Sequence, residues 1–147
     1  MADARLPGRT GMTELEVSMS HRGHVAVIGL AGELTVACTH RLIDAVRQAI
    51  ADGADHVVLD AGRLVCCDPA GIHAIGQAYR IAIETGAALA AADLQPLVTT
   101  GMLLTDAADT VPVYDTVADA VTADPARRRP LTAWTLADTS TPPTAPV

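Results

Sequence analysis

The sequence predicts an α/β fold with a mixed sheet of four to five strands and about four helices. Segments typical of strands alternate with segments of helical periodicity, which favours parallel strands joined by right-handed crossovers. Half of the 147 residues are apolar, and only 2% are aromatic. A core built from Ala, Val, Leu and Ile suits helices packed on a buried sheet. The length allows one core domain.

The first half of the chain predicts a hairpin and a helix. Alternating apolar residues predict a first strand at Leu15, Val17 and Met19. A turn at residues 21–24 (HRGH) leads into a second strand over 25–30, which ends at 32–34 (GEL). Helical spacing and a glycine stop then predict a helix marked by Leu42, Ile43, Val46, Ile50 and Gly53.

The second half of the chain continues the alternation. The apolar run 57–59 predicts a short strand covered on both faces. A second helix and its glycine stop are marked by Ile72, Ile75, Tyr79, Ile83 and Gly86. The remaining predictions are a strand at 87–92, a helix at 94–104 with Pro96 in its first turn, a strand at 111–114 and a short helix at 116–121 capped by Asp115.

Composition divides the chain into three parts. Residues 1–12 predict a flexible arm, and 13–122 predict the folded domain. Residues 123–147 contain five of the nine prolines and predict a mostly disordered tail. Trp134 in this tail is expected to dock on the folded domain, with a partner surface as the alternative.

Charge argues against two classes of partner. Residues 13–122 contain five Arg and fourteen acidic residues, a net charge of 5 − 14 = −9. Such a domain has no electrostatic footprint for nucleic acid or for an anionic membrane. The sequence shows no membrane span and no secretory signal, and its three cysteines form no disulfide framework. We therefore expect a cytoplasmic protein.

The segment 65–73 (VCCDPAGIH) joins a predicted strand to a predicted helix. Asp68 suits the N-cap position, because its carboxylate can accept hydrogen bonds from free backbone N–H groups of the first turn. Pro69 suits the first helical position. Gly71 lets the first turn approach a neighbouring backbone closely.

Four segments together resemble the STAS domain of bacterial anti-sigma-factor antagonists. They are 32–34 (GEL), 57–60 (VVLD), Asp68-x-x-Gly71 and 111–115 (VPVYD), and their order and spacing agree over about residues 13–122. The resemblance implies a mixed sheet with helices largely on one face. It also implies binding to an anti-sigma factor, usually one with a kinase-like ATP site, and release of a sigma factor for transcription.

The resemblance also implies a phosphorylation switch that this sequence lacks. The family motif reads Asp-Ser-Ser/Thr-Gly, whereas here Pro69 and Ala70 replace the two hydroxyl residues. At the position after Gly-Glu-Leu, where the family usually has aspartate, this sequence has Thr35. Residues 40–84 contain no Ser or Thr. Because the acceptor hydroxyls are missing, we expect no serine phosphorylation here. We also expect binding to an anti-sigma factor without serine control, because the neutral Pro69 resembles the unphosphorylated state.

The resemblance places the partner-binding surface on two loops, with Thr35, Val36 and Cys38 from one and Cys67, Asp68, Pro69 and Ala70 from the other. An alternative function is a redox-responsive or ligand-sensing interaction module. The redox form would use Cys38, Cys66 and Cys67, since a thiol near a helix N-terminus can have a lowered pKa. Against it, Cys66 and Cys38 are expected to be small buried apolar residues.

We expect neither an enzyme nor a metal protein. An arginine is required six residues after a phosphatase-loop cysteine, but this position is His73 counted from Cys67. No P-loop or G-x-S-x-G motif occurs, and no cofactor is implied. His21 and His24 are expected to be solvated turn residues, and His73 a helix-surface residue, so four metal ligands do not converge.

Overall fold

The computed structural model describes residues 14–105 and 111–122, which form a five-stranded sheet and four helices. The strands, in both sequence and spatial order, are β1 (Glu16–Arg22), β2 (Val25–Leu34), β3 (His56–Cys67), β4 (Ala88–Ala92) and β5 (Val113–Tyr114). The helices are α1 (Thr39–Ala51), α2 (Pro69–Glu84), α3 (Pro96–Leu103) and α4 (Val117–Thr122). Only β1 is antiparallel to its neighbour. The predicted mixed α/β architecture is confirmed.

Side chains alternate between the two faces of the sheet, and different helices pack on each face. In β3, Val57 and Leu59 join the larger buried cluster, whereas Val58 faces the smaller one. The larger cluster contains residues of α1, α2 and α3, and the smaller one contains Ala120 of α4. Three of the four helices therefore cover one face, as the family resemblance implied.

Two strands are longer than predicted. The second strand extends beyond residue 30 to Leu34, and the third extends beyond residue 59 to Cys67. Residues 60–67 (DAGRLVCC) mix polar and apolar side chains, so the sequence carries no strand signal there. Pairing with β2 nevertheless holds this segment in the sheet. Because β4 pairs only with positions 56–60, the ends of β2 and β3 extend past the rest of the sheet.

Some predictions fall on parts of the chain outside the described residues. These are the arm at 1–12 and the tail at 123–147 with Trp134. Within 14–105 and 111–122, none of the helices has the length and apolar character that a bilayer crossing requires.

Candidate functional site

Two loops that connect strands to helices lie side by side at the carboxyl ends of β2 and β3. Residues 35–38 join β2 to α1, and Asp68 joins β3 to α2. Because β2 and β3 are parallel, with Leu34 opposite Cys67, the connections start side by side. The backbone N–H of Asp68 donates a 3.1 Å hydrogen bond to the Leu34 carbonyl. The first two helices therefore start at the same end of the sheet.

The carboxylate of Asp68 connects these two loops. Its Oδ1 accepts a 2.8 Å hydrogen bond from the Gly71 N–H and so caps α2, as predicted. Its Oδ2 accepts a 3.1 Å hydrogen bond from the Val36 N–H in the other loop. Pro69 occupies the first turn, also as predicted. The sequence indicated the cap but not the bond to Val36, because nothing local specifies which backbone lies opposite the second oxygen.

Gly71 explains how the loops come so close. A Cβ at this buried position would lie 2.9 Å from Cys67 Sγ and would press on the carbonyl oxygen of Leu34. Because the oxygen belongs to the backbone, a Cβ here would require the end of β2 to shift. The predicted close approach of the first turn is confirmed, and its neighbour is the end of β2.

Cys38 faces its own loop. Its thiol donates to the Glu33 carbonyl at 3.4 Å and accepts from the Thr35 N–H, also at 3.4 Å. The Cys38 N–H closes the turn by donating a 2.9 Å bond to the Thr35 carbonyl. Cys38, predicted as a contact residue, is therefore half-buried and holds the loop in shape.

The exposed side chains around the two loops are mostly apolar. Val36 is 70% exposed, Val65 is 45% exposed, and Cys66 and Pro69 are exposed as well. We call these four residues the loop surface. Sequence reasoning did not include Val65, because it lies in the part of β3 beyond the predicted strand. The other predicted contact residues are partly buried around this surface: Thr35, Cys38, Cys67, Asp68 and Ala70.

The environment of the cysteines differs from the prediction. Burial is the largest of the effects that raise the pKa of Cys67 to about 12, and the nearby Asp68, Cys66 and Cys38 contribute in the same direction. The expectation of a lowered pKa at this helix start is wrong, because burial of the thiolate dominates. Cys66, expected to be buried, is exposed. All three cysteines are free thiols.

A comparison with protein families identifies this arrangement. The family model described as "Mlab, STAS domain" matches residues 17–112, about two thirds of the chain. The chain belongs to the STAS domain family. The resemblance noted in the sequence is thereby confirmed, and the match includes both loops and the strands that carry them.

Known relatives of this STAS domain include anti-sigma factor antagonists. The Anti-sigma F factor antagonist of Paenibacillus polymyxa is 26% identical over 113 residues, covering 74% of this chain and 93% of that protein. A crystal structure of an anti-sigma factor antagonist from Mycobacterium paratuberculosis has a TM-score of 0.67 at 21% identity, covering 75% and 93% of the two chains. The unphosphorylated form of SpoIIAA from Bacillus has a TM-score of 0.60 at 19% identity, covering 76% and 98%. The two structures support the fold.

Metal ligands do not gather in the described part of this STAS domain. There, no group of three His, Cys, Asp or Glu side chains is arranged to hold a metal ion. His21 and His24 are exposed at the hairpin turn, and His73 is exposed on α2, as predicted.

An open groove of about 570 Å³ lies between β1, β2 and β3. Its lining includes Glu16, Ser18, Asp60 and Arg63, and none of the predicted contact residues. The groove is thus separate from the loop surface.

Proposed function

We propose that this STAS domain is an anti-sigma factor antagonist that acts in the cytoplasm. It binds an anti-sigma factor with a kinase-like ATP site and thereby releases a sigma factor for transcription. The observation that carries the proposal is the bond between Asp68 and the Val36 N–H, which holds the two loops together with Val36 and Pro69 exposed. The antagonists among its relatives supply the choice of partner.

The chemistry of the loop surface supports binding to a protein. Exposed apolar side chains surrounded by polar groups are typical of the centre of a protein interface. Val36 and Pro69 contact the partner, while Asp68 and Cys38 position the loops. The proposed action is binding without catalysis and without a cofactor.

The proposed antagonist has no serine switch. Pro69 lies at the first turn of α2 and has no hydroxyl group that could accept phosphate. Ala70 cannot replace it. The loop surface therefore stays neutral at this position, and binding does not depend on a phosphatase.

The first test uses the full chain as bait in extracts of its own cells. We expect it to retain an anti-sigma factor with a kinase-like ATP site. Incubation with that factor and ATP should leave the mass of the natural chain unchanged, whereas Pro69→Ser, which restores the hydroxyl, should gain one phosphate. Failure to retain such a factor, or phosphorylation of the natural chain at residues 65–73, contradicts the proposal.

A further inference from the structure

Strand β1 lies at the edge of the sheet. In the described part of the chain its only strand partner is β2, which pairs with all seven residues of Glu16–Arg22. An edge strand presents unpaired N–H and C=O groups along its outer side, ready to pair with another strand. The sequence and register of β1 indicate what that strand is.

The geometry of the β1–β2 hairpin determines which residues of β1 have their backbone N–H and C=O groups on the outer side of the sheet. Gly23 and His24 form a two-residue turn with positive φ at Gly23, and Arg22 lies opposite Val25. The residues flanking such a turn exchange both backbone hydrogen bonds, and this pattern recurs at every second residue. The even-numbered residues of β1 therefore bond to β2, while the odd-numbered residues present their N–H and C=O groups outward: Val17, Met19 and His21.

The outer edge is complementary to itself. We propose that β1 pairs with β1 of a second copy of this chain, antiparallel, around a twofold axis at Met19. This register places Val17 opposite His21 and Met19 opposite Met19, so that all three outward residues form hydrogen-bonded pairs with outward residues of the other copy. The two sheets then form one continuous ten-stranded sheet.

The charged residues at the two ends of β1, Glu16 and Arg22, favour this register. Directly opposite side chains in antiparallel strands lie on the same face, so Glu16 of each copy lies opposite Arg22 of the other. Both side chains are exposed, and neither forms an ion pair within residues 14–105 and 111–122. The twofold axis produces this opposite-charge pair twice. On the same face, the hydroxyls of Ser18 and Ser20 lie opposite each other.

A shift by two residues fits less well. In one direction Arg22 would lie opposite Glu14, which precedes the strand, and Glu16 would lie opposite Ser20. In the other direction Arg22 would lie opposite Ser18. Only the register centred on Met19 pairs the whole strand and places an opposite charge across from Glu16. Because Glu14 lies outside the paired strand, its substitution provides a matched control.

Sedimentation equilibrium of the full chain tests the proposal. We expect a reversible dimer. Glu16→Arg or Arg22→Glu places like charges opposite each other at both ends of the paired strands, so each should weaken self-association about tenfold or more. Glu14→Arg should leave it unchanged. Circular dichroism checks that each variant is folded.

Mixing the two variants is the decisive step. One Glu16→Arg chain and one Arg22→Glu chain carry opposite charges at both ends, so the mixture should form a heterodimer of the original affinity. The double variant E16R/R22E should again associate with itself. The proposal is overturned if the chain is monomeric at every concentration, if Arg22→Glu does not weaken the dimer, or if mixing the two variants does not restore association. Pairing of β1 with residues 1–13 of its own chain would give the first of these outcomes.

Discussion

The carboxylate of Asp68 accepts a hydrogen bond from the Val36 N–H while it caps α2 through the Gly71 N–H. One side chain thus performs a local task at the helix start and a long-range task between two loops. The Asp68 N–H adds a third connection, to the Leu34 carbonyl. The relative position of Val36 and Pro69 therefore depends on Asp68.

Replacing Asp68 tests this coupling. Asp68→Ala removes the cap and the bond to Val36, and loss of a cap alone costs about 1 kcal/mol. With the second bond included, we expect the free energy of unfolding to fall by about 2 kcal/mol, measured by urea denaturation. Asp44→Ala, on the exposed surface of α1, is the control and should change it by less than about 0.5 kcal/mol. Equal stability of the two variants would exclude a structural role for Asp68.

Two glycines of α2 provide a matched pair for the close approach of the loops. Gly71→Ala forces a Cβ against the Leu34 carbonyl and Cys67 Sγ, so we expect a loss of stability of about 1–3 kcal/mol. At Gly76 a Cβ has no heavy atom within 4 Å. Gly76→Ala should therefore stabilise the helix by about 0.4–1 kcal/mol. Thermal unfolding measures both, and a change of the same sign in the two variants would contradict the packing described.

The cysteines should differ in reactivity. The pKa of Cys67 is raised from 9.0 to about 12, so its thiol is protonated at neutral pH, whereas Cys66 is exposed. Iodoacetamide labelling followed by peptide mapping should modify Cys66 much faster than Cys67. Rapid labelling of Cys67 in the folded protein would contradict this expectation and favour the redox alternative.

The same shift predicts alkaline destabilisation. A pKa raised in the folded state means that burial of the neutral thiol stabilises the fold below pH 9.0. This contribution is lost as the pH rises toward about 12. Cys67→Ala should therefore flatten the decline of stability above pH 9.0, measured by urea unfolding, whereas Cys66→Ala, which removes only a smaller cause of the shift, should flatten it much less.

The lowered pKa of His56 predicts a change in the stability of the fold at acidic pH. Burial lowers the pKa of this histidine from 6.5, while the Asp55 carboxylate acts in the opposite direction. The neutral imidazole is therefore favoured in the folded state, and its contribution to stability is present above pH 6.5 and lost as the pH falls below it. His56→Gln should reduce the loss of stability between neutral pH and about pH 5, measured by urea unfolding. The exposed His73→Gln is the control, and an equal effect of both would contradict this assignment.

Local patterns predicted much of this fold. The apolar run at 57–59 and the cap at Asp68 are local signals, and the structure has a strand and a helix N-cap at these positions. The extension of β3 to Cys67 was not predictable, because its strand conformation depends on pairing with β2 rather than on its own apolar pattern. That extension also exposes Val65 and Cys66, so the composition of the loop surface could not be derived from the sequence.

The Asp68–Val36 bond illustrates the same limit. An N-cap uses one carboxylate oxygen, and only the tertiary structure determines what the other oxygen meets. Likewise, helix position favoured a reactive Cys67, but burial, which depends on the packing of Gly71 and β2, has the larger effect on its pKa.

In the proposed complex, the neutral Pro69 lies at the centre of the surface that binds the anti-sigma factor. Isothermal titration of the retained anti-sigma factor with the natural chain, Pro69→Ala and Pro69→Asp tests it most directly. Both variants lose the proline, but only Pro69→Asp adds a charge, so we expect Pro69→Ala to bind nearly as well as the natural chain and Pro69→Asp to bind about tenfold or more weakly. Equal affinity of folded Pro69→Asp and Pro69→Ala would contradict the claim.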